Sequence, residues 1–265
     1  MCGLAGYSLR SRSGIERTLA AQALLAGIAE RGADAVGYAY RAPGEPYPTV
    51  VKQRTPASEL IERISVPQAA HQLLVHVRDY TKGHPSIAAN NHPVRHGPVV
   101  GIHNGIIVND DELLADFHCA RSEPRMTVDS EAIFALAAHS ANDPVALESL
   151  RGAMATAWLD EREPDVVFLA RGVGRPLWLG EGRNEAFFAS TRTALEVAEQ
   201  YCRIKLRKRE VEPGTALSLA DGRVARRGRF RPDLDYVEAD PLPAVRAPGE
   251  RDFCLSRLAA LASLA

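Results

Sequence analysis

Short apolar segments of strand length, interrupted by a small number of helices, constrain the fold of this 265-residue chain more than any other feature. The predicted strands dominate the second half of the chain, and the predicted helices come in pairs between groups of strands. A doubly wound parallel sheet needs strict alternation of strand and helix, so this order predicts an α+β layered domain. The chain also lacks the G-x-G-x-x-G and P-loop patterns, so no motif supports nucleotide binding.

The individual elements are predicted from apolar periodicity and turn residues. The dipeptide Asn104-Gly105, which separates two predicted strands, is the pair most typical of a hairpin turn. The predicted strands cover residues 3–9, 36–40, 49–52, 73–77, 99–103, 105–108, 153–159, 165–171, 177–180, 186–190, 202–206 and 216–219. The predicted helices cover residues 14–31, 57–64, 110–117, 130–139, 193–200 and 253–265, with one or two helical turns over 144–150.

Composition and charge exclude several classes of protein. The chain is 46% hydrophobic and 25% charged, like an average globular domain, which excludes disordered, collagen-like and coiled-coil chains. It has 32 Lys and Arg against 33 Asp and Glu, and this balance removes the electrostatic argument for nonspecific nucleic-acid binding. No window approaches the length of a membrane span and no signal-peptide pattern is present, so we expect no membrane association and a cytoplasmic location.

One of the four cysteines has a special position in the sequence. The cysteines lie far apart and form no C-x-x-C pair, which argues against a disulfide framework or a zinc site. Three of them fit the interpretation of a small buried hydrophobe. Cys2, in contrast, follows Met1, so removal of Met1 would leave a thiol and an α-amine on one residue. An amine with a reference pKa of about 7.7–8.0 can accept the thiol proton and activate it as a nucleophile.

Five further segments follow Cys2 in order along the chain. They are Arg31-Gly32-Ala33-Asp34, His76-Val77-Arg78, Asn91-His92-Pro93, His103-Asn104-Gly105-Ile106-Ile107 and Asp129-Ser130-Glu131. With these segments the sequence resembles the class II glutamine amidotransferases, the cysteine-nucleophile branch of the N-terminal-nucleophile (Ntn) hydrolases. The resemblance is to the glutaminase domains of glutamine–fructose-6-phosphate and glutamine–phosphoribosylpyrophosphate amidotransferases in particular, and it covers residues 2–220. It implies a four-layer αββα sandwich of two mainly antiparallel sheets between helix layers.

The resemblance also implies a catalytic mechanism. Cys2 would attack the side-chain amide of L-glutamine, giving a γ-glutamyl thioester and ammonia. Asn104, through its side-chain amide, and Gly105, through its backbone N–H, would form the oxyanion hole, where each donor contributes about 3–4 kcal/mol. A plain hairpin turn is the alternative interpretation of these two residues. No cofactor is expected.

Two charged residues are expected to bind the ends of the substrate. By the resemblance, Arg78 would hold the α-carboxylate of glutamine, a role that suits its bidentate guanidinium fork. Its alternative is a structural ion pair with the adjacent Asp79. Asp129 would hold the α-ammonium group, and its alternative is to cap the helix predicted to begin at Ser130.

The segment after Arg78 is expected to form the rim of the site. Thr81 and Gly83 would lie in a loop beside Cys2, with Thr81 as a polar contact to glutamine, while Arg31 would support the Cys2 backbone. Asp79 stands where relatives commonly have an aromatic residue. This departure motivates a second hypothesis, an Ntn cysteine amidase that acts on another amide.

Histidines and basic runs allow two further interpretations. His92, His96 and His103 lie close together in sequence, but their spacing matches no common zinc pattern, so no metal site is predicted. The basic runs 203–209 and 223–231 fit solvated sheet faces, the first from the alternation over 203–207. The alternative is a docking surface for an acidic partner or for nucleic acid that this partner carries.

The predicted domain organisation is a glutaminase domain over residues 1–238, followed by a proline-rich linker and a short helix over 239–265. Family members that complete a biosynthetic reaction carry a synthase domain, and no such domain fits here. We therefore expect a separate synthetase or synthase subunit as the ammonia acceptor, with a homo-oligomer left open. A non-catalytic scaffold subunit is the alternative from another class. The apolar residues of the last helix would contact this partner or pack on their own domain: Phe253, Leu255, Leu258 and Leu261.

Overall fold

The computed structural model describes residues 2–239 and 243–263, which form thirteen strands and six α-helices. The strands are β1 (Gly3–Leu9), β2 (Ala35–Arg41), β3 (Thr49–Gln53), β4 (Gln72–Arg78), β5 (Val94–His96), β6 (Val99–Ile107), β7 (Gly152–Asp160), β8 (Val166–Arg171), β9 (Trp178–Glu181), β10 (Glu185–Ala189), β11 (Arg207–Glu210), β12 (Thr215–Ala220) and β13 (Arg223–Arg229). The helices are α1 (Arg17–Ile28), α2 (Ala57–Leu60), α3 (Asp110–Asp116), α4 (Glu131–His139), α5 (Arg192–Tyr201) and α6 (Glu250–Ala262), with 3-10 turns over Ala29–Arg31, Ala88–Asn90 and Pro144–Ser149.

The strands form two antiparallel sheets stacked face to face. The first sheet has the order β11-β9-β10-β1-β4-β2-β3 and the second has the order β13-β12-β8-β7-β6-β5. Fully buried aliphatic side chains from both sheets, among them Leu4, Leu74, Ile102 and Leu169, form the core between them. With helices on the outer faces, this arrangement confirms the predicted α+β class and the four-layer αββα sandwich.

Helix α1 lies at the centre of one outer layer. It packs on the first sheet and is flanked by α5 and α6, so nearly all of its side chains are buried. A helix that is apolar on all sides needs such a covered position. Cys254 and Leu258 of α6 are fully buried in the same core, whereas Phe253 is 47% exposed. The last helix therefore packs on its own domain through Leu258, and the predicted end of this helix at residues 264–265 lies outside the described residues.

The hairpin prediction at Asn104-Gly105 was wrong. Strand β6 runs through both residues without a turn and pairs with β7 from Val99 opposite Asp160 to Ile107 opposite Gly152. An Asn-Gly pair favours a turn only weakly compared with an unbroken ladder of cross-strand contacts, so tertiary pairing decided the conformation.

The strand predicted over 202–206 was also wrong. Cys202 caps the C-terminus of α5, and Arg203 has a φ of 54°, so the strand begins only at Arg207. Strands β5 and β13 were not predicted. Several side chains of the basic runs form ion pairs with carboxylates of this chain, which favours the solvated-face interpretation: Arg207 and Arg209 with Glu181, Lys208 with Glu199, Arg226 with Glu163, and Arg229 with Glu212.

Strand pairing places the residues of the predicted site at one end of the sandwich. Gly3 pairs with Val77, so Cys2 lies beside Arg78, the last residue of β4. In the part of the chain that the structure describes, no helix is long and apolar enough to cross a membrane.

Candidate active site

The Cys2 thiol is held by the backbone of Asp79. Its Sγ donates to the Asp79 carbonyl at 3.2 Å and accepts from the Asp79 N–H at 3.4 Å. Burial raises the pKa of the thiol, while the Asp79 N–H and the Arg78 charge oppose this shift. The thiol is therefore protonated at rest and needs a base before it can attack a carbon centre.

Arg31 contacts the backbone of Cys2. Its Nε donates to the Cys2 carbonyl at 2.8 Å. The next residue, Gly32, passes so close to the end of β4 that a Cβ there would lie 2.5 Å from the backbone carbonyl of Arg78. Only glycine permits this approach, which brings the turn after α1 against the nucleophile.

Arg78 is buried at the end of β4 and organises the loop that follows it. Its Nη1 donates to Asn91 Oδ1 at 2.7 Å, and its Nη2 donates to the carbonyls of Lys82 and Gly83 at 2.8 and 2.5 Å. These described contacts use three of the five N–H donors of a guanidinium, which leaves donors for a substrate carboxylate. The role of Asn91 was not predicted, although the segment Asn91-His92-Pro93 had been singled out.

The loop after Arg78 is anchored at Lys82 and Gly83. The Gly83 carbonyl accepts from Arg78, and Lys82 forms ion pairs with Asp110 and Asp111 at the start of α3. Thr81 precedes these two residues, is exposed and borders the site.

Asp129 is buried on the opposite side of the site. Its Oδ2 accepts from the Ile107 N–H at 2.7 Å, and α4 begins at Glu131 with Ser130 as its N-cap residue. Burial raises the pKa of Asp129 to about 6, with the charge of Asp110 acting in the same direction and the Ile107 N–H acting against it. The carboxylate is therefore mostly ionised at neutral pH and available to a cation.

Gly105 and Asn104 lie within β6 rather than in a turn. Gly105 has a φ of 152°, and a Cβ at this position would lie 1.9 Å from the Ala153 carbonyl, so glycine is required. Asn104 is fully buried, with Nδ2 3.5 Å from Ser190 Oγ. The backbone geometry within β6, and not a turn, therefore explains why glycine occupies position 105.

Two buried histidines contact the backbone of β6 and of the neighbouring strand β7. His103 contacts the Ala153 carbonyl through Nε2 at 3.3 Å, which assigns the proton to Nε2, so Nδ1 accepts from the Ser130 hydroxyl at 2.9 Å. His76 donates to the His103 carbonyl at 2.9 Å. Burial lowers the pKa of His76 and of His103 to about 3, so both are neutral. His96 instead contacts Glu131, apart from the other two histidines of the metal hypothesis.

These groups line a narrow, partly open cavity of about 10 Å³. Of the predicted residues, Cys2, Arg78, Thr81, Gly105 and Asp129 line it directly. Arg31, Gly83 and Asn104 lie next to lining residues and support them from outside. Among the described residues, no group of three His, Cys, Asp or Glu is arranged to hold a metal ion.

Known sequences match a large part of this chain. A family model described as a glutamine amidotransferase domain matches residues 78–197. Glutamine–fructose-6-phosphate aminotransferase (isomerizing) from Symbiobacterium thermophilum is 32% identical over 206 residues, which cover 74% of this chain and 32% of that protein. The protein of the same name from Shigella flexneri is 35% identical over 134 residues, or 46% of this chain and 21% of the relative. The chain thus spans 21% and 32% of the length of these two curated relatives.

Solved structures share the fold. The glutamine phosphoribosylpyrophosphate amidotransferase of B. subtilis matches with a TM-score of 0.68 at 22% identity, over 86% of this chain and 49% of that chain. A glutamine aminotransferase class-II domain protein from Silicibacter pomeroyi matches with a TM-score of 0.52 at 16% identity, over 87% of this chain and all of that chain. The sandwich with a cysteine at the start of its first strand defines an Ntn-hydrolase fold. The sequence matches narrow this class, and the chain belongs to the class II glutamine amidotransferases.

Proposed function

We propose that this protein hydrolyses the side-chain amide of L-glutamine to glutamate and ammonia, with Cys2 as the nucleophile. The observation that carries the proposal is the convergence of a thiol, a buried arginine and a buried carboxylate on one small cavity. A zwitterionic amino acid has the two charges that Arg78 and Asp129 complement.

The base in this mechanism is the α-amine of Cys2, which becomes available when Met1 is removed. Met1 lies outside the described residues. Because burial raises the pKa of the thiol, a base on the same residue is well placed to take its proton. The sulfur then attacks the amide carbon, and the proton passes to the departing nitrogen as the C–N bond breaks and ammonia leaves.

The remaining steps use the backbone around β6. Negative charge that develops on the amide oxygen would be stabilised by the Gly105 N–H and the Asn104 side-chain amide. Water then attacks the γ-glutamyl thioester, which releases glutamate and restores the thiol. Arg78 and Asp129 hold the two charged ends of the substrate through both steps, while Thr81 and Gly83 close the rim.

The competing hypothesis, an amidase for another amide, arose from Asp79. In the structure the Asp79 carboxylate forms an ion pair with Arg246 at 3.1 Å. A neutralised Asp79 does not oppose the carboxylate of an amino-acid substrate at Arg78. This ion pair supports glutamine over a substrate that lacks the α-carboxylate.

Intact mass spectrometry tests the proposal directly. The protein is measured before and after treatment with 6-diazo-5-oxo-norleucine, a glutamine analogue that alkylates nucleophiles. We expect loss of Met1 and one adduct on Cys2, together with glutamate release from glutamine but not from asparagine or simple acyl amides. Cys202→Ala is the matched control, because burial raises the pKa of that thiol to about 12 and leaves it unreactive. Retention of Met1 with an unmodified Cys2 would favour the scaffold alternative, and comparable turnover of all amides would remove the glutamine assignment.

The proposal also covers the acceptor of the ammonia, the domain bounds and the location of the protein. Ammonia in neutral water is mostly ammonium, which is not nucleophilic, so a separate acceptor synthetase or synthase that docks at the site would use it best. We assign the glutaminase domain to residues 1–238, with 239–265 as an appended segment, and we place the protein in the cytoplasm. A high rate of glutamine hydrolysis by the isolated protein, with one free ammonia released per glutamate, would contradict obligatory coupling to a partner.

A further inference from the structure

Asp79 contacts the proposed nucleophile through its backbone and a distant part of the chain through its side chain. Both backbone groups of Asp79 hydrogen-bond to Cys2 Sγ, at 3.2 and 3.4 Å. Its two carboxylate oxygens accept from Arg246 Nε at 3.2 and 3.1 Å. The orientation of the Asp79 peptide, and with it the position of the thiol, is thus coupled to a residue 167 positions further along the chain.

Arg246 is itself anchored to the other support of Cys2. The N–H groups of Arg246 and Ala247 both donate to the Glu30 carbonyl at 2.9 Å. Glu30 precedes Arg31, whose Nε holds the Cys2 carbonyl at 2.8 Å. Residues 246–247 therefore tie together the two segments that contact Cys2 from either side.

We propose that Arg246 is a positioning residue for the Cys2 nucleophile, acting through Asp79 in the proposed glutamine hydrolysis. The segment after the second sheet is then a part of the catalytic unit and not only a linker. The assignment rests on the proposed function, because it concerns the reactivity of the same thiol. The residue does not touch the substrate in this scheme and acts only through Asp79.

The charges around Cys2 predict the direction in which substitutions should shift the pKa of its thiol. Arg78 and Arg31 face Cys2 as cations, Asp79 faces it as an anion, and its carboxylate is paired with Arg246. Across the cavity lie the Asp129 carboxylate, the Lys82 ammonium and the neutral rings of His92 and His103. The Asp79 charge raises the pKa of the thiol, so removal of the Arg246 cation should raise this pKa further, and removal of the Asp79 charge should lower it.

The experiment measures the rate of Cys2 alkylation by iodoacetamide against pH in the full chain, with glutaminase kcat, KM and the melting temperature recorded alongside. Arg246→Ala should shift the alkylation profile to higher pH, slow alkylation at pH 7 by about threefold to tenfold, and lower kcat more than it raises KM. Asp79→Asn added to Arg246→Ala should move the profile back. Arg246→Lys, which keeps the charge, should retain most of the wild-type rate.

Arg251→Ala is the matched control. Arg251 lies in the same segment and forms an ion pair of similar exposure with the Glu30 side chain at 2.6 Å, but its cation does not contact Asp79. We expect it to lower the melting temperature slightly and to leave the alkylation profile unchanged.

The outcomes separate this inference from the proposed function. An Arg246→Ala protein with the wild-type alkylation profile and kcat, in a background where the wild type hydrolyses glutamine, would overturn the positioning role. The same holds if Arg251→Ala shifts the profile equally, because the effect would then be one of general stability. A wild-type protein that binds no diazo analogue and releases no glutamate would instead overturn the proposed function, whatever the profile of the variants.

Discussion

The antiparallel strands β2 and β4 carry a buried arginine at each end of the pair. Arg78 ends β4 opposite Ala35, and Arg41 ends β2 opposite Gln72, the first residue of β4. Both side chains are almost fully buried, at 2% and 4% exposure. Burial alone does not distinguish them, so the groups that surround each arginine decide its function.

The surroundings of the two arginines differ in kind. Around Arg78, a thiol and a carboxylate line a narrow cavity of about 10 Å³. Arg41 donates to the Asp160 carbonyl at 3.0 Å and borders a cavity of about 440 Å³, whose described lining contains no cysteine. The larger cavity has an arginine but no thiol, while the smaller one combines a thiol, an arginine and a buried carboxylate. The chemical groups that line a cavity, rather than its volume, therefore identify the functional end of the sandwich.

The strongest test of this comparison replaces the nucleophile. Cys2→Ala should lower glutamine hydrolysis by at least about 10³-fold and abolish the adduct with the diazo analogue, because the thioester can no longer form. The melting temperature should change little, since Cys2 lies at the edge of the core. Steady-state glutamate release and intact mass are the measurements, and a Cys2→Ala protein with wild-type hydrolysis would disprove the mechanism.

The two arginines can be compared by the same substitution. Arg78→Lys should raise KM for glutamine by about 10- to 100-fold, because lysine cannot reproduce a bidentate contact to a carboxylate. Arg41→Lys should leave KM unchanged and lower the melting temperature, because it removes a buried contact between the sheets. Kinetics and thermal unfolding of both variants provide the test. An equal effect of the two substitutions on KM would show that the ends of the sandwich do not differ as described.

The pKa of Asp129 predicts how substrate binding depends on pH. Below pH 6 the carboxyl takes up a proton and loses its attraction for the α-ammonium group, so glutamine affinity should fall up to tenfold per pH unit. Calorimetric titration of glutamine into Cys2→Ala measures this without turnover of the substrate. Asp129→Asn should bind weakly at every pH, and an affinity independent of pH between 5 and 8 would contradict the assigned role.

The same pKa predicts an effect on stability. The folded-state pKa of about 6 lies above the ordinary aspartate pKa of 3.8, so the folded protein binds this proton more tightly than the unfolded chain. The charged Asp129 therefore costs stability above pH 6, and this cost disappears as the pH falls towards 3.8. We expect Asp129→Asn to raise the melting temperature at pH 8 and to have little effect near pH 4.

The smallest expected effect concerns the loop that borders the site. Lys82→Met removes the ion pairs to Asp110 and Asp111, but Lys82 is 39% exposed and Arg121 still contacts both carboxylates. Solvent screening limits the loss of stability to about 1 kcal/mol or less, with a rise in KM of about twofold to threefold. The exposed pair Arg192–Glu196, remote from the site, gives the control substitution Arg192→Ala. A KM that stays at the wild-type value would show that the loop needs no anchor at this point.

Much of the fold could be predicted from the chain alone, because most elements have local signals. The apolar run at 73–77 predicted β4, and the helix predicted over 130–139 matches α4 closely. The errors lie where local preference competed with long-range pairing. Asn104-Gly105 favours a turn in isolation, yet β7 supplies a complete ladder that holds both residues extended. Arg203 to Leu206 alternate like a strand, yet α5 ends at Tyr201 and Arg203 itself takes a left-handed conformation.

The sequence by itself determined the chemical groups of the site: a cysteine after Met1, an arginine at the end of one strand, and an acidic residue before a helix. Their order along the chain was sufficient to indicate the family. Only the tertiary structure decided which groups act together, because the contacts of Cys2 with Asp79, of Asp79 with Arg246, and of Ile107 with Asp129 join residues 77, 167 and 22 positions apart. Such contacts depend on strand register and layer packing, which no local pattern encodes.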